Sequence, residues 1–221
     1  MSESQRKIIK VATYLMSERG YHGASIKEIA DRVGVTKSTI FHHFKNKEAI
    51  LLSILEETVP QANQDLKRLL NDRNLNGREK LREFIKMHMK MVRDKGMILN
   101  LYLGESKHLS KKSKGPYLAQ RRAYGDLVRQ IIRQIIAEEP NSFKTLSPTI
   151  LTNALLGMCN WSVTWFKKGG ELDLDGVADQ FYQIVCGPYG SQPPHSVERG
   201  ENRRTERGES WVLRAHGNFK S

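Results

Sequence analysis

The side chains best placed to do chemistry lie in the run Thr36 to Lys47, TKSTIFHHFKNK. Lys37, Ser38, Thr39, His42 and His43 fall on one face of a short helix, and Ile40 and Phe44 fall on the other. The polar face suits the edge of a base pair. A lysine there can donate to guanine O6 or N7, and serine or threonine can reach base edges and methyl groups in the major groove. Lys47 opens the next helix, where its ammonium adds to free backbone N–H groups and suits a phosphate.

Such a face needs two helices and a fixed turn to hold it. Ser25 and Glu28 have the spacing of a capping box, in which hydroxyl and carboxylate each take a free helix-start N–H. Ile26, Ile29, Ala30 and Val33 follow at helical spacing, and Gly34 stands where a left-handed residue ends the helix. Val35 plugs the corner, and Thr36 can cap the polar helix. An opening helix from Gln5 to Arg19 offers Ile8, Ile9, Ala12, Leu15 and Met16 as a packing face. A fourth helix from Asn46 carries Ile50, Leu51, Ile54 and Leu55. Together these make a helix-turn-helix domain over residues 4–55 with a polar recognition helix. Phe41 and Phe44 are expected in its core, because both continue the apolar run from Ile40.

A formal net charge of +12 over 221 residues suits a polyanionic partner, although bulk charge alone implies only general affinity. Cys159 and Cys186 form no disulfide framework and no metal-ligand pattern, and Cys159 sits in an apolar run that suits packing. No apolar run reaches the roughly 18 residues of a spanning helix. The N-terminus lacks a signal-peptide core, so a soluble, cytoplasmic protein with no membrane partner is expected. No nucleophile elbow, phosphate loop, dinucleotide fingerprint or zinc triplet occurs, which argues against an enzyme and against a bound cofactor or metal.

Residues 56–187 read as helical throughout, so the fold class is all-α. Pro60 should break or kink the fourth helix at Val59. Helices follow over residues 61–70 and 79–93, then a short apolar stretch over 97–103. Residues 105–115 are basic and interrupted, and read as a loop or a helix end. A long helix over 117–138, one begun by Ser147-Pro148 and stopped at Gly169-Gly170, and a last one from Leu172 or Asp173 complete the domain. Residues 188–221 are rich in Gly, Pro, Ser, Arg and Glu and are expected to be a disordered tail.

The helix-turn-helix resembles that of the TetR family of bacterial transcriptional regulators. The resemblance rests on Ile26, Ile29, Ala30, Gly34 and Val35, and on Ile40-Phe41-His42-His43-Phe44-Lys45-Asn46-Lys47-Glu48-Ala49-Ile50, and it covers about the first quarter of the chain. It implies that Thr36 and His42 contact phosphates, with His42 standing where the family usually has a tyrosine. It implies a homodimer that reads a pseudo-palindromic double-stranded operator, most simply as a repressor. The last two helices would form the dimer bundle, with Leu155, Trp161, Trp165, Phe181 and Ile184 as interface residues. The aromatic residues among them fit a monomer core nearly as well.

A second resemblance concerns the effector. Gly157-Met158-Cys159-Asn160-Trp161 with Thr164-Trp165-Phe166-Lys167-Lys168-Gly169-Gly170 is similar to a segment of the family members that answer to fatty acyl-CoA or related thioesters. It implies an apolar slot lined from Phe84, Met87, His88, Met91, Leu99, Leu103, Tyr124, Leu127 and Trp161. Lys107, Arg121 and Arg122, with Lys111, Lys112 and Arg129, would form a basic mouth for CoA phosphates. Other readings stay open: a different hydrophobic effector, no effector, or a helical adaptor that binds nucleic acid or a partner without sequence preference. His88 can equally be a hydrogen-bonded core histidine.

Overall fold

In this computed structural model, residues 1–187 are described, apart from Thr58, Lys144, Thr145, Lys168 and the side chains of Val59 and Asn100. Among the described residues there are nine α-helices, one 3₁₀ turn and no strand. The expected tail, residues 188–221, lies outside them.

The first helix, α1 (Glu3–Gly23), begins with a capping box between Ser2 and Gln5 and buries Ile8, Ile9, Ala12, Leu15 and Met16. Gly20, at φ 72°, breaks its regular geometry in a region where a side chain is costly. Helix α2 (Ile26–Val33) is capped by Ser25 Oγ, which accepts from the Glu28 N–H at 3.0 Å. The other half of the expected capping box is not formed. The Glu28 carboxylate turns instead to Arg19 (3.0 Å) and Arg32 (3.3 Å). Gly34 takes the left-handed conformation at φ 78°, and the N–H groups of Gly34 and Val35 both return to the Ala30 carbonyl. Helix α3 (Lys37–His43) is capped by Thr36, and α4 (Lys47–Glu56) by Asn46.

Phe44 is buried, at 7% exposure, but Phe41 stands 51% exposed, contrary to expectation. Ile40 and Phe44 are four residues apart and share a face, whereas one further residue turns Phe41 about 100° away from it.

Helix α4 ends at Glu56, so the expected interruption ahead of Pro60 is present, but the proline itself belongs to the next helix. It is the second residue of α5 (Val59–Asn71), where its missing N–H has no intrahelical partner to lose. The segments expected at 79–93 and 97–103 join as α6 (Gly77–Gly104), interrupted at Lys95 (φ −125°, ψ 24°). A 3₁₀ turn, Glu105–His108, leads to α7 (Lys111–Glu138), which starts within the segment read as a loop or helix end. Ser110 caps α7, and Pro116 lies near its start, forgoing one backbone bond while keeping a helical φ. Helix α8 (Pro148–Trp165) has Pro148 in its first turn, but the Ser147 hydroxyl makes no capping bond. Asp173 caps α9 (Leu174–Cys186).

Two cores result. One joins α1–α4 with Ile98, Leu101, Leu109 and Tyr117 from the α6–α7 corner. The other is built from α5–α9, around Leu66, Phe84, Ile85, Val128, Ile132 and Leu155. Helices α6 and α7 therefore contribute to both. Cys159 lies in the second core, where burial pushes its thiol up to about 12, as suits inert packing.

Candidate DNA-reading face and effector cavity

Helix α3 presents Lys37, Ser38, Phe41 and His42 to solvent, with Thr39 and His43 half-buried beside them. Thr36 Oγ1 accepts from the Thr39 N–H at 3.1 Å and lies 2.9 Å from Thr39 Oγ1, so the two hydroxyls orient each other. His42 and His43 meet edge to face at 5.2 Å. Six of the seven expected DNA-facing residues thus belong to α3 or its cap, and Phe41 joins them as a residue that apolar spacing had hidden.

Lys47 is placed differently. Its ammonium donates to the carbonyls of Tyr21 (2.8 Å) and Ala24 (2.9 Å) and lies 4.3 Å from the centre of the Tyr21 ring. It clamps the α1–α2 connection to the start of α4. Burial holds its pKa below the usual lysine value.

Nearby, the helix-turn-helix meets the α6–α7 corner through polar groups. The Tyr21 N–H donates to Glu105 Oε2 at 3.1 Å, and His108 Nε2 lies 3.1 Å from the same oxygen. The His108 ring stacks on Tyr21 and takes the edge of His22 at 4.4 Å. The Ser110 N–H donates to Glu48 Oε1 at 3.0 Å.

A cavity of about 850 Å³ lies among α4–α8. Its apolar wall includes Met91, Ile98, Leu99, Leu103, Leu118 and Leu156, and it reaches Leu55 of α4. Arg121, Arg122 and Arg129 contribute positive charge from α7. Arg121 stacks 4.9 Å from the Tyr102 ring centre, and Arg129 is paired with Asp126. His88 is buried on the wall, with Nδ1 2.8 Å from the Tyr124 hydroxyl and Nε2 3.0 Å from Asn160 Oδ1. Loss of hydration holds its pKa down at about 4.

Of the expected ligand residues, His88, Leu103, Arg121, Arg122, Tyr124 and Trp161 line this space. Phe84, Met87, Leu127, Lys107, Lys111 and Lys112 do not. Phe84 is wholly enclosed, its ring 5.5 Å from that of His88 and 6.2 Å from that of Tyr124, and Lys107 stands exposed on the 3₁₀ turn. Leu55, Lys95 and Asn160 were missed. Leu55 carries no signal beyond core spacing, whereas Asn160 is an amide between Cys159 and Trp161 in an otherwise apolar run.

Trp161, at the edge of the cavity, is also 67% exposed, and Trp165, with Phe181 edge-on at 6.2 Å, and Ile184 are 44% and 60% exposed. Leu155 is a correction. It shares the inward stripe of Cys159 and Ser162 and is fully enclosed by its own chain, so it has no surface for a partner. Among the described residues no His, Cys, Asp and Glu grouping could hold a metal, and no helix is long and apolar enough to cross a membrane.

Residues 8–54 match the bacterial regulatory proteins of the tetR family, and residues 74–188 match the tetracyclin repressor-like C-terminal domain. The HTH-type transcriptional repressor KstR2 of Rhodococcus jostii (strain RHA1) is 23% identical over 197 residues, which are 88% of this chain and 94% of that protein. The crystal structure of AibR in complex with isovaleryl coenzyme A and operator DNA superposes with a TM-score of 0.74 at 27% identity, covering 84% of this chain and 100% of that one. A TetR-family transcriptional regulator from Bordetella parapertussis 12822 shares the fold, with a TM-score of 0.76 at 22% identity over 86% of this chain and 97% of its own. The chain belongs to the TetR family of bacterial regulatory proteins, and is a DNA-binding transcriptional regulator and not an enzyme.

Proposed function

We propose that the protein is a homodimeric repressor of a pseudo-palindromic operator, released when an acyl-CoA thioester enters the α4–α8 cavity. Residues 4–55 read DNA, and residues 56–187 sense the effector and pair the protomers. Lys37, Ser38, Thr39 and Phe41 meet base edges and methyl groups, while Thr36, His42 and His43 meet the backbone. Trp161, Trp165, Phe181 and Ile184 form the dimer face, which sets two copies of α3 about 34–36 Å apart, one turn of DNA.

The observation that carries this reading is the extent of the cavity. It runs from three arginines, suited to phosphates, along an apolar wall suited to an acyl chain, to Leu55 of the helix that follows the recognition helix. Lys95, at the break in α6, lines the same space and pairs with Glu57, the residue that caps the C-terminus of α4, at 3.0 Å. A ligand that displaces this wall moves α4, and with it the spacing of the two recognition helices. Full release requires the ligand to prefer the non-binding state by about 5.5 kcal/mol. The coenzyme A thioester bound to AibR and the repressor role named for KstR2 support the assignment.

The test is fluorescence anisotropy of DNA from upstream of the protein's own gene, repeated with a panel of acyl-CoA thioesters and with free CoA. Specific binding released by one chain-length class is the expected result. Specific binding that no thioester disturbs removes the effector assignment and leaves the regulator.

A further inference from the structure

The bonding of His88 fixes what the cavity wall can offer a ligand. His88 stays neutral because its ring is fully buried, so it carries one N–H. Asn160 Oδ1 can only accept, which places that proton on Nε2. Nδ1 then accepts the Tyr124 hydroxyl hydrogen. Two consequences follow. The carbonyl of Asn160 is occupied, and its amide is turned so that two N–H donors on Nδ2 remain without a protein acceptor among the described residues. Tyr124 has spent its proton on His88 and has only lone pairs to offer.

We propose that Asn160 is the specificity-determining donor of the effector cavity, its amide N–H binding the carbonyl oxygen of the effector's acyl group, with His88 as the positioning residue. A donor on a largely apolar wall favours a ligand that brings an acceptor there, because entry of an all-carbon segment strips the amide of water without return. The partner is a neutral carbonyl and not a carboxylate, since His88, the group bonded to Asn160, is uncharged, and the positive groups of the cavity stand on other helices, Lys95 on α6 and three arginines on α7. This rests on the acyl-thioester reading above and specifies which atom of that effector is recognised.

The decisive probe is a matched pair: straight-chain acyl-CoA thioesters from butyryl to palmitoyl, and S-alkyl-CoA thioethers of the same carbon number, which lack only the carbonyl. Calorimetry on the full-length protein should show at least one thioester binding about tenfold more tightly than its thioether, a ratio equivalent to about 1.4 kcal/mol. Asn160→Leu and Asn160→Asp should bring that ratio close to one, the second while preserving size and the bond to His88. His88→Gln, which can donate to Asn160 and accept from Tyr124, should keep the ratio. His88→Leu should lose it, and Asn160→Asp decides the matter should that variant fail to fold. Equal binding of thioester and thioether by the unaltered protein, or a ratio that survives both Asn160 substitutions, would overturn the assignment while leaving the thioester as effector. Binding of neither probe overturns the thioester reading and the assignment with it.

Discussion

Lys47 separates two accounts of the same residue. Its position at the start of α4 suits a phosphate contact, yet its ammonium already donates to Tyr21 and Ala24 and lies over the Tyr21 ring. Lys47→Met keeps the aliphatic stem and removes all three contacts. A hydrogen bond from a charged group contributes about 1.5–3 kcal/mol, and an exposed cation–π contact about 0.5–1. Water reaches this half-buried site and re-solvates the two carbonyls, so the net loss should be about 2 kcal/mol. At roughly 2–4 °C per kcal/mol for a chain of this size, the Tm should fall by about 4–8 °C. Operator affinity should fall as the α1–α2 connection loosens, but the slope of log K against log salt should hold. A phosphate contact would instead lower that slope by about 0.9 per lysine, or about 1.8 per dimer, at unchanged Tm. Thermal unfolding and a salt titration of the same variant measure both quantities. An unchanged Tm with a reduced slope would refute the clamp.

The two recognition-helix phenylalanines should part company. Phe44→Ala removes a buried ring and should destabilise the protein by about 3–5 kcal/mol in urea unfolding, whereas Phe41→Ala should leave stability unchanged and weaken the specific operator relative to random DNA. His88 should give the fold an acid-sensitive window. Its folded pKa of about 4 lies below the unfolded value near 6.5, so its contribution is fully present above pH 6.5 and is lost as pH falls towards 4. That loss amounts to about 3 kcal/mol, and urea unfolding of His88→Gln across this range should show it missing. Ile184→Glu places a charge in the proposed dimer face without touching either core. Sedimentation should show a folded monomer at concentrations where the unaltered protein is dimeric, with specific operator binding lost.

The parts of this chain that sequence reveals are those fixed within one or two turns. Thr36 caps as expected because a cap needs only the N–H three residues on, and Gly34 ends its helix by its own conformational freedom. Phe41 shows where such rules stop, since at the end of so short a helix Phe41 and the C-cap residue Phe44 both fit an apolar period and only packing shows which is inside. Pro60 shows a related limit: it marks a boundary after α4, but only the packing shows that it sits in the first turn of the following helix, where a proline forgoes little. The cavity was partly visible: Arg121, Arg122 and Tyr124 declare themselves by type. Phe84 and His88, four residues apart on one stripe, do not. Which of them borders space and which is sealed behind it depends on where α7 and α8 cross, and no local pattern holds that information.

Helix α4 is gripped along its length by groups outside the helix-turn-helix. Glu48 in its first turn accepts from Ser110, and Glu57 at its end pairs with Lys95. Ten residues of α-helix span about 15 Å, short and stiff enough to move as one body. The two polar ties are not strong enough to drive it. Both ends of the Lys95–Glu57 pair are about 40% exposed, and such pairs contribute at most about 1 kcal/mol. Packing is the stronger grip. Ile98, Leu101, Leu109 and Tyr117 enter the same core as Ile50, Leu51, Ile54 and Leu55, so the α6–α7 corner cannot shift without dragging α4 or opening apolar surface. At about 25 cal/mol per Å² of such surface, exposing even half of one leucine costs about as much as that ion pair. Under the proposed release mechanism, then, the signal from the cavity travels through this shared core, and the polar contacts set the register in which α4 docks.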